Sequence, residues 1–120
     1  MTSLNFAETA AWLRAALAQP LPGLPVQLAM SPQPRPGTER ILDPGLDCRR
    51  AGVLALIYPC TGEPCVVLTR RTDAVDNHRG QISFPGGSLE PGEDALGAAL
   101  REGWEELAIP PERLEVLGAL

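Results

Sequence analysis

Three glutamates, Glu102, Glu105 and Glu106, fall within "REGWEELAI" at i, i+3 and i+4 spacing. On a helix those positions are neighbours, and like charges so placed repel by roughly a few tenths of a kcal/mol per pair. No lysine stands between Glu90 and Leu107 to offset them. Three converging carboxylates suit a hard dication such as Mg²⁺ or Mn²⁺, because oxygen donors match it and its charge cancels the repulsion. The competing reading is a solvated acidic face, and on the helix alone the two stand level.

The stretch ahead, "FPGGSLEPGED", favours the metal. Gly86, Gly87 and Gly92 permit positive φ and close approach of backbone to ligand, so Gly87 can aim a carbonyl at the same cation. Glu93 precedes Arg101 by two helical turns, which predicts a pair that latches loop to helix. The helix that must position these groups is predicted to begin near Glu93 and to end before Pro110 and Pro111. Leu96, Leu100, Gly103 and Leu107 share one stripe, flanked by Ala99 and Trp104, and this is the predicted buried face. The three glutamates are expected on the other side, with Arg101 at the border.

Upstream, residues 53–58 and 65–69 are apolar or β-branched runs separated by the turn chemistry of "PCTGEP", and read as two buried strands in a hairpin. A loop follows, with a short apolar stretch at 82–84. "LEVLGAL" at the end reads as the opening of another strand, so the domain is expected to be incomplete at its C-terminus. Residues 1–19 hold a helix with Phe6, Ala10, Leu13 and Leu17 on one face, closed by Pro20. Residues 20–48 hold seven of the 13 prolines by Pro44 and read as an extended, irregular connector. The domain proper is placed at 49–120.

With 120 residues the chain is one domain with a modest core. The net charge of −5 argues against a nucleic-acid backbone as partner. No apolar run reaches the roughly 20 residues of a membrane helix, and the first residues lack a cationic lead, so a cytoplasmic location is expected. Cys48, Cys60 and Cys65 form no CxxC pair and read as reduced, small apolar residues.

In register, Gly87, Glu93, Arg101, Glu102, Glu105 and Glu106 resemble the Nudix box: a glycine, five residues, a glutamate, seven residues, Arg-Glu, and two adjacent glutamates after a spacer. Gly103 stands where that family has an aliphatic or small apolar residue, and Ala108 where it has a helix-ending glycine. "LTRRTDAVDNHRGQISFPGG" further resembles the signature that coenzyme A diphosphatases carry before their box, through Leu68, Thr69, Arg71, His78, Gly80, Gln81, Phe84 and Pro85. Asp76 departs from it, standing where an arginine is expected.

The resemblance implies an α/β fold, an α/β/α sandwich with a mixed β-sheet. It implies Mg²⁺ or Mn²⁺ held by Glu102, Glu105, Glu106 and the Gly87 carbonyl, and hydrolysis of a diphosphate bond with Glu102, Glu105 and Arg101 as catalytic residues. Arg71, His78 and Gln81 are then expected to bind a small-molecule, coenzyme A-like substrate, and Glu93 with Arg101 to form the latch. Neither nucleic acid nor membrane is an expected partner, and a homodimer is left open. Two alternatives accompany this reading: hydrolysis of another nucleoside diphosphate derivative, which Asp76 favours, and a non-catalytic Nudix-like binding module.

Overall fold

A computed structural model of the chain describes residues 4–31, 49–70 and 80–120. Helix α1 (Phe6–Leu17) begins at a reciprocal cap: Asn5 Oδ1 accepts from the Glu8 amide at 3.0 Å, and Glu8 Oε2 accepts from the Asn5 amide at 3.0 Å. Phe6, Ala10, Leu13 and Leu17 are its half-buried side, while Trp12 faces solvent. The connector differs from its extended expectation, because α2 spans Gly23–Ala29. Pro25 lies in the first turn of that helix, where a missing N–H costs no internal hydrogen bond, so proline there does not forbid a helix.

Residues 53–58 do not form one strand. The chain switches partner: β1 (Ala51–Val53) pairs with β6 (Gly86–Ser88), and β2 (Ile57–Cys60) pairs with β3 (Glu63–Val66). Hydrogen bonds from Leu54 N to Pro85 O (2.8 Å) and from Val67 N to Leu56 O (3.0 Å) mark the two sides of the switch. The β2–β3 hairpin turns on Thr61 and Gly62, both with positive φ (51° and 89°), the pattern of the turn whose twist matches paired strands. A third ladder joins β4 (Thr69–Arg70) to β5 (Ile82–Ser83). All three ladders among the described residues are antiparallel.

Neither predicted strand is buried along its length. In β1 only Gly52 is covered, while Val53 is 60% exposed, the alternation of a strand with one face against a helix. That helix is α3 (Ala95–Leu107), which packs on β1 and β6. Asp94 caps it, its Oδ1 accepting from the Gly97 amide at 2.7 Å. The buried face overlaps the predicted stripe at Ala99 and Gly103, with Leu100 and Leu107 half-buried, but it is centred on the small residues rather than on the leucines. Ala98, Ala99 and Gly103 are buried, whereas Leu96 and Trp104 are 48% and 50% exposed.

The cause is how closely α3 approaches the sheet. A Cβ on Gly52 would lie 2.6 Å from Ala99 N and 2.8 Å from Ala98 Cβ, so only small residues fit this seam. Leucines would hold the two elements apart. Pro85, fully buried, completes the packed centre beside the seam.

Residues 114–120 are not a strand. After a 3₁₀ turn over Pro111–Arg113 they run beside α1, with Arg14 Nη2 2.6 Å from Glu115 Oε1 and the Gly118 backbone close against Leu17. Among the described residues no helix is long and apolar enough to cross a membrane.

Candidate functional site

Arg101 organises the site. It projects from α3 toward the loop that leaves β6, where Nε donates to Glu93 Oε1 and Nη2 to Glu93 Oε2, both at 3.1 Å. Nη2 also donates to the Ser88 carbonyl at 3.0 Å, so the guanidinium spans helix, loop and strand. Glu93 Oε2 in turn accepts from the Glu90 amide at 2.9 Å, which folds the loop back on itself. The fork hydrogen bond from Arg101, followed by the Glu90 amide, holds the Glu93 carboxyl below its ordinary range. Bonding to Glu93 and then to Glu102 raises the Arg101 guanidinium in return.

The remaining nitrogen, Nη1, faces the glutamates. It lies 2.9 Å from Glu102 Oε1 and 3.4 Å from Glu105 Oε2. Arg101 therefore stands between two of the three acids that the sequence placed together. Among the described residues no three His, Cys, Asp or Glu side chains gather closely enough to hold a metal ion. The carboxylates do not crowd in the way their spacing suggests, because like charges spread apart and two of them share the guanidinium instead. One cation set against Glu90, Glu93, Glu102 and Glu105 still leaves a local excess of negative charge.

Glu102 does not share the solvent-facing side with the other two. Its side chain is 17% exposed, against 54% for Glu105, and Glu106 is exposed. It tucks beneath β6, where a Cβ on Gly87 would lie 2.5 Å from Glu102 Cδ. Gly87 is needed for this approach and not for its dihedral angle; the positive φ values of the loop belong to Gly86 (157°) and Gly92 (81°). Gly87 pairs with Gly52 in the ladder, so two glycines back each other where α3 comes closest.

Of the expected substrate-binding residues, Gln81 is exposed just before β5, and Arg71 and His78 lie outside the described residues, as does Asp76. Two participants were not foreseen. The Ser88 carbonyl could not be, since a backbone acceptor leaves no trace in residue type. Gly52 left one: a glycine inside an apolar strand run signals close approach of another backbone.

A NUDIX domain model matches residues 49–120. The chain belongs to the Nudix family. Its α/β architecture, a helix packed on short antiparallel strands with the box glutamates on that helix, is consistent with a Nudix domain. Over 73 residues the chain is 49% identical to a protein named "Uncharacterized Nudix hydrolase NudL" of Yersinia pestis (strain Pestoides F), and equally to one of that name from Yersinia pseudotuberculosis serotype O:1b (strain IP 31758). The matched segment covers 60% of this chain and 36% of each relative, so the chain spans about a third of the length of the curated relatives it matches. No solved structure matches it.

Proposed function

We propose that this Nudix chain carries the metal-binding part of a hydrolase that cleaves the diphosphate bond of coenzyme A or its derivatives, giving 3′,5′-ADP and 4′-phosphopantetheine. The observation that carries the reading is the Glu102 carboxylate, seated against a glycine backbone and held by an arginine that Glu93 locks in place. The coenzyme A assignment is supported by the sequence at 68–87, with Arg71, His78 and Gln81 as substrate-binding residues. A small-molecule substrate rather than a nucleic-acid backbone, in keeping with a net charge of −5, and a cytoplasmic setting complete the reading.

In kind the donors suit Mg²⁺ or Mn²⁺, although to hold one ion the three carboxylates would have to draw closer together than they stand beside Arg101. Glu102, Glu105 and Glu106 supply only oxygen, the Gly87 carbonyl adds a neutral oxygen, and the absence of a Cβ at Gly87 lets the Glu102 carboxylate lie against that backbone. A bound dication supplies charge neutralisation for the diphosphate and lowers the pKa of a water. The chain's own residues do the rest. Arg101 fixes the Glu102 carboxylate beneath β6 and so sets where a proton can be accepted, Glu102 being the group assigned to accept it. Glu93 holds Arg101 in that posture through two hydrogen bonds, leaving Nη1 directed at Glu102 and Glu105.

The test is hydrolysis of coenzyme A with Mg²⁺ or Mn²⁺, products resolved by chromatography, using this chain and a version extended to the length of its relatives. Release of 3′,5′-ADP and phosphopantetheine is expected. Asp76, an acid where the coenzyme A signature has a base, favours a second reading in which another nucleoside diphosphate derivative is the substrate. A panel of such compounds turned over while coenzyme A is not would select it.

A further inference from the structure

The β2–β3 hairpin carries two cysteines that the proposed hydrolase does not use. Its register pairs Tyr58 with Cys65 and Cys60 with Glu63. Alternate residues of a strand share a face, so Tyr58, Cys60, Glu63 and Cys65 lie on one side of the hairpin. Cys60 and Cys65 are diagonal neighbours on that face, two residues apart in register. Cys60 is exposed and Cys65 half-buried, and both are free thiols.

We propose that Cys60 and Cys65 form a dithiol site that exchanges with small-molecule disulfides and closes to a disulfide across the hairpin. The exposed Cys60 sulfur meets the reagent first. As thiolate it attacks one sulfur of the disulfide, forming a mixed disulfide and expelling one thiolate. Cys65 then gives its proton to solvent and attacks the Cys60 sulfur, which forms the Cys60–Cys65 bond and expels the second thiolate. Two protein thiols are oxidised, the reagent is reduced to two thiols, and the two protons released balance the two thiolates.

Partial burial, then the Cys60 thiol and the Glu63 carboxylate, push the Cys65 thiol above its ordinary range, so it suits the second step better than the first. Diagonal positions are separated by about 7–8 Å between Cα atoms, at or beyond the usual span of a disulfide. The hairpin must therefore tighten to close, and the bond belongs with the readily reduced class. Closure would brace the turn on which α1 is seated, since the Phe6 amide donates to the Gly62 carbonyl at 2.9 Å.

The test incubates the protein with oxidised glutathione and reads the intact mass, followed by peptide mapping, for the wild-type chain and for Cys48→Ser, Cys60→Ser and Cys65→Ser. The expected result is a loss of two hydrogens in wild type and in Cys48→Ser, mapped to a Cys60–Cys65 link and reversed by a mild thiol reductant. Cys65→Ser should instead retain a glutathione adduct on Cys60. Stable adducts on Cys48→Ser with no cross-link would overturn the proposal, as would a wild-type cross-link that runs through Cys48.

Discussion

Arg101 grips Glu93 through two parallel hydrogen bonds, Nε to Oε1 and Nη2 to Oε2, each 3.1 Å long. The pair ties the loop leaving β6 to the second turn of α3, and with it the strand whose Ser88 carbonyl the same guanidinium holds. Because the Glu93 carboxyl is held below its ordinary value of 4.5, its stabilisation is present above that value and is lost as pH falls through the depressed folded-state value. Stability should therefore drop on acidification below 4.5, and Glu93→Gln should flatten that limb. Urea midpoints taken from about pH 7 to about pH 3 measure it. Identical acid limbs in the two proteins would mean that the pair contributes nothing to folding.

The seam between β1 and α3 gives a second expectation. A methyl group at Gly52 meets the carbonyl of Ala95 and the amide nitrogen of Ala99, both backbone atoms that cannot rotate away. Gly52→Ala should cost roughly 1–3 kcal/mol, the usual range for overpacking a tight interface. Denaturant unfolding checks this, and a loss of well under 1 kcal/mol would show that α3 can slide outward.

These two sites mark what the sequence made legible. The spacing of Glu93 and Arg101 announced a latch because both partners carry formal charge and Glu93 stands just ahead of the helix that carries Arg101. Helix α3 was legible from its apolar spacing after Glu93 and from the prolines beyond it, while its Asp94 cap emerged only in the structure. The buried face was legible only in part: Ala99 and Gly103 were in the predicted stripe, but leucine periodicity assumes that the largest apolar residues point inward. Here the closeness of the backbones selects Ala98, Ala99 and Gly103 and turns Leu96 and Trp104 outward. The run at 53–58 hid a change of partner for a related reason: pairing is a property of two segments, and one segment alone shows only apolarity. The glutamate spacing placed three acids together but could not show that Arg101 stands between Glu102 and Glu105.

Ala108 ends α3 in the left-handed region, with φ 55° and ψ 32°, while its amide donates to the Trp104 carbonyl at 2.9 Å. A side chain with a Cβ is strained there by about 1–2 kcal/mol relative to glycine. Ala108→Gly should raise stability by about 1 kcal/mol once the greater freedom of glycine in the unfolded chain is counted. A thermal or urea midpoint unchanged or lowered would mean that the left-handed cap does not persist in solution.

Gly87 tests the metal-binding part of the proposed function most directly. In Gly87→Ala the new methyl occupies the position of the Glu102 carboxylate, so Glu102 must swing out from beneath β6 and leave its bond with Arg101 Nη1. Misplacing one ligand of a dication site, or the group that orients it, typically weakens binding by about 10–100-fold. Free Mn²⁺ followed by electron paramagnetic resonance should show that loss in Gly87→Ala, and a deeper one in the Glu105→Gln, Glu106→Gln double variant. Far-ultraviolet circular dichroism should be unchanged in the double variant, whose two side chains are exposed. Wild-type Mn²⁺ affinity in all three proteins would remove Glu102, Glu105 and Glu106 as ligands and leave the acidic surface of α3 to solvent.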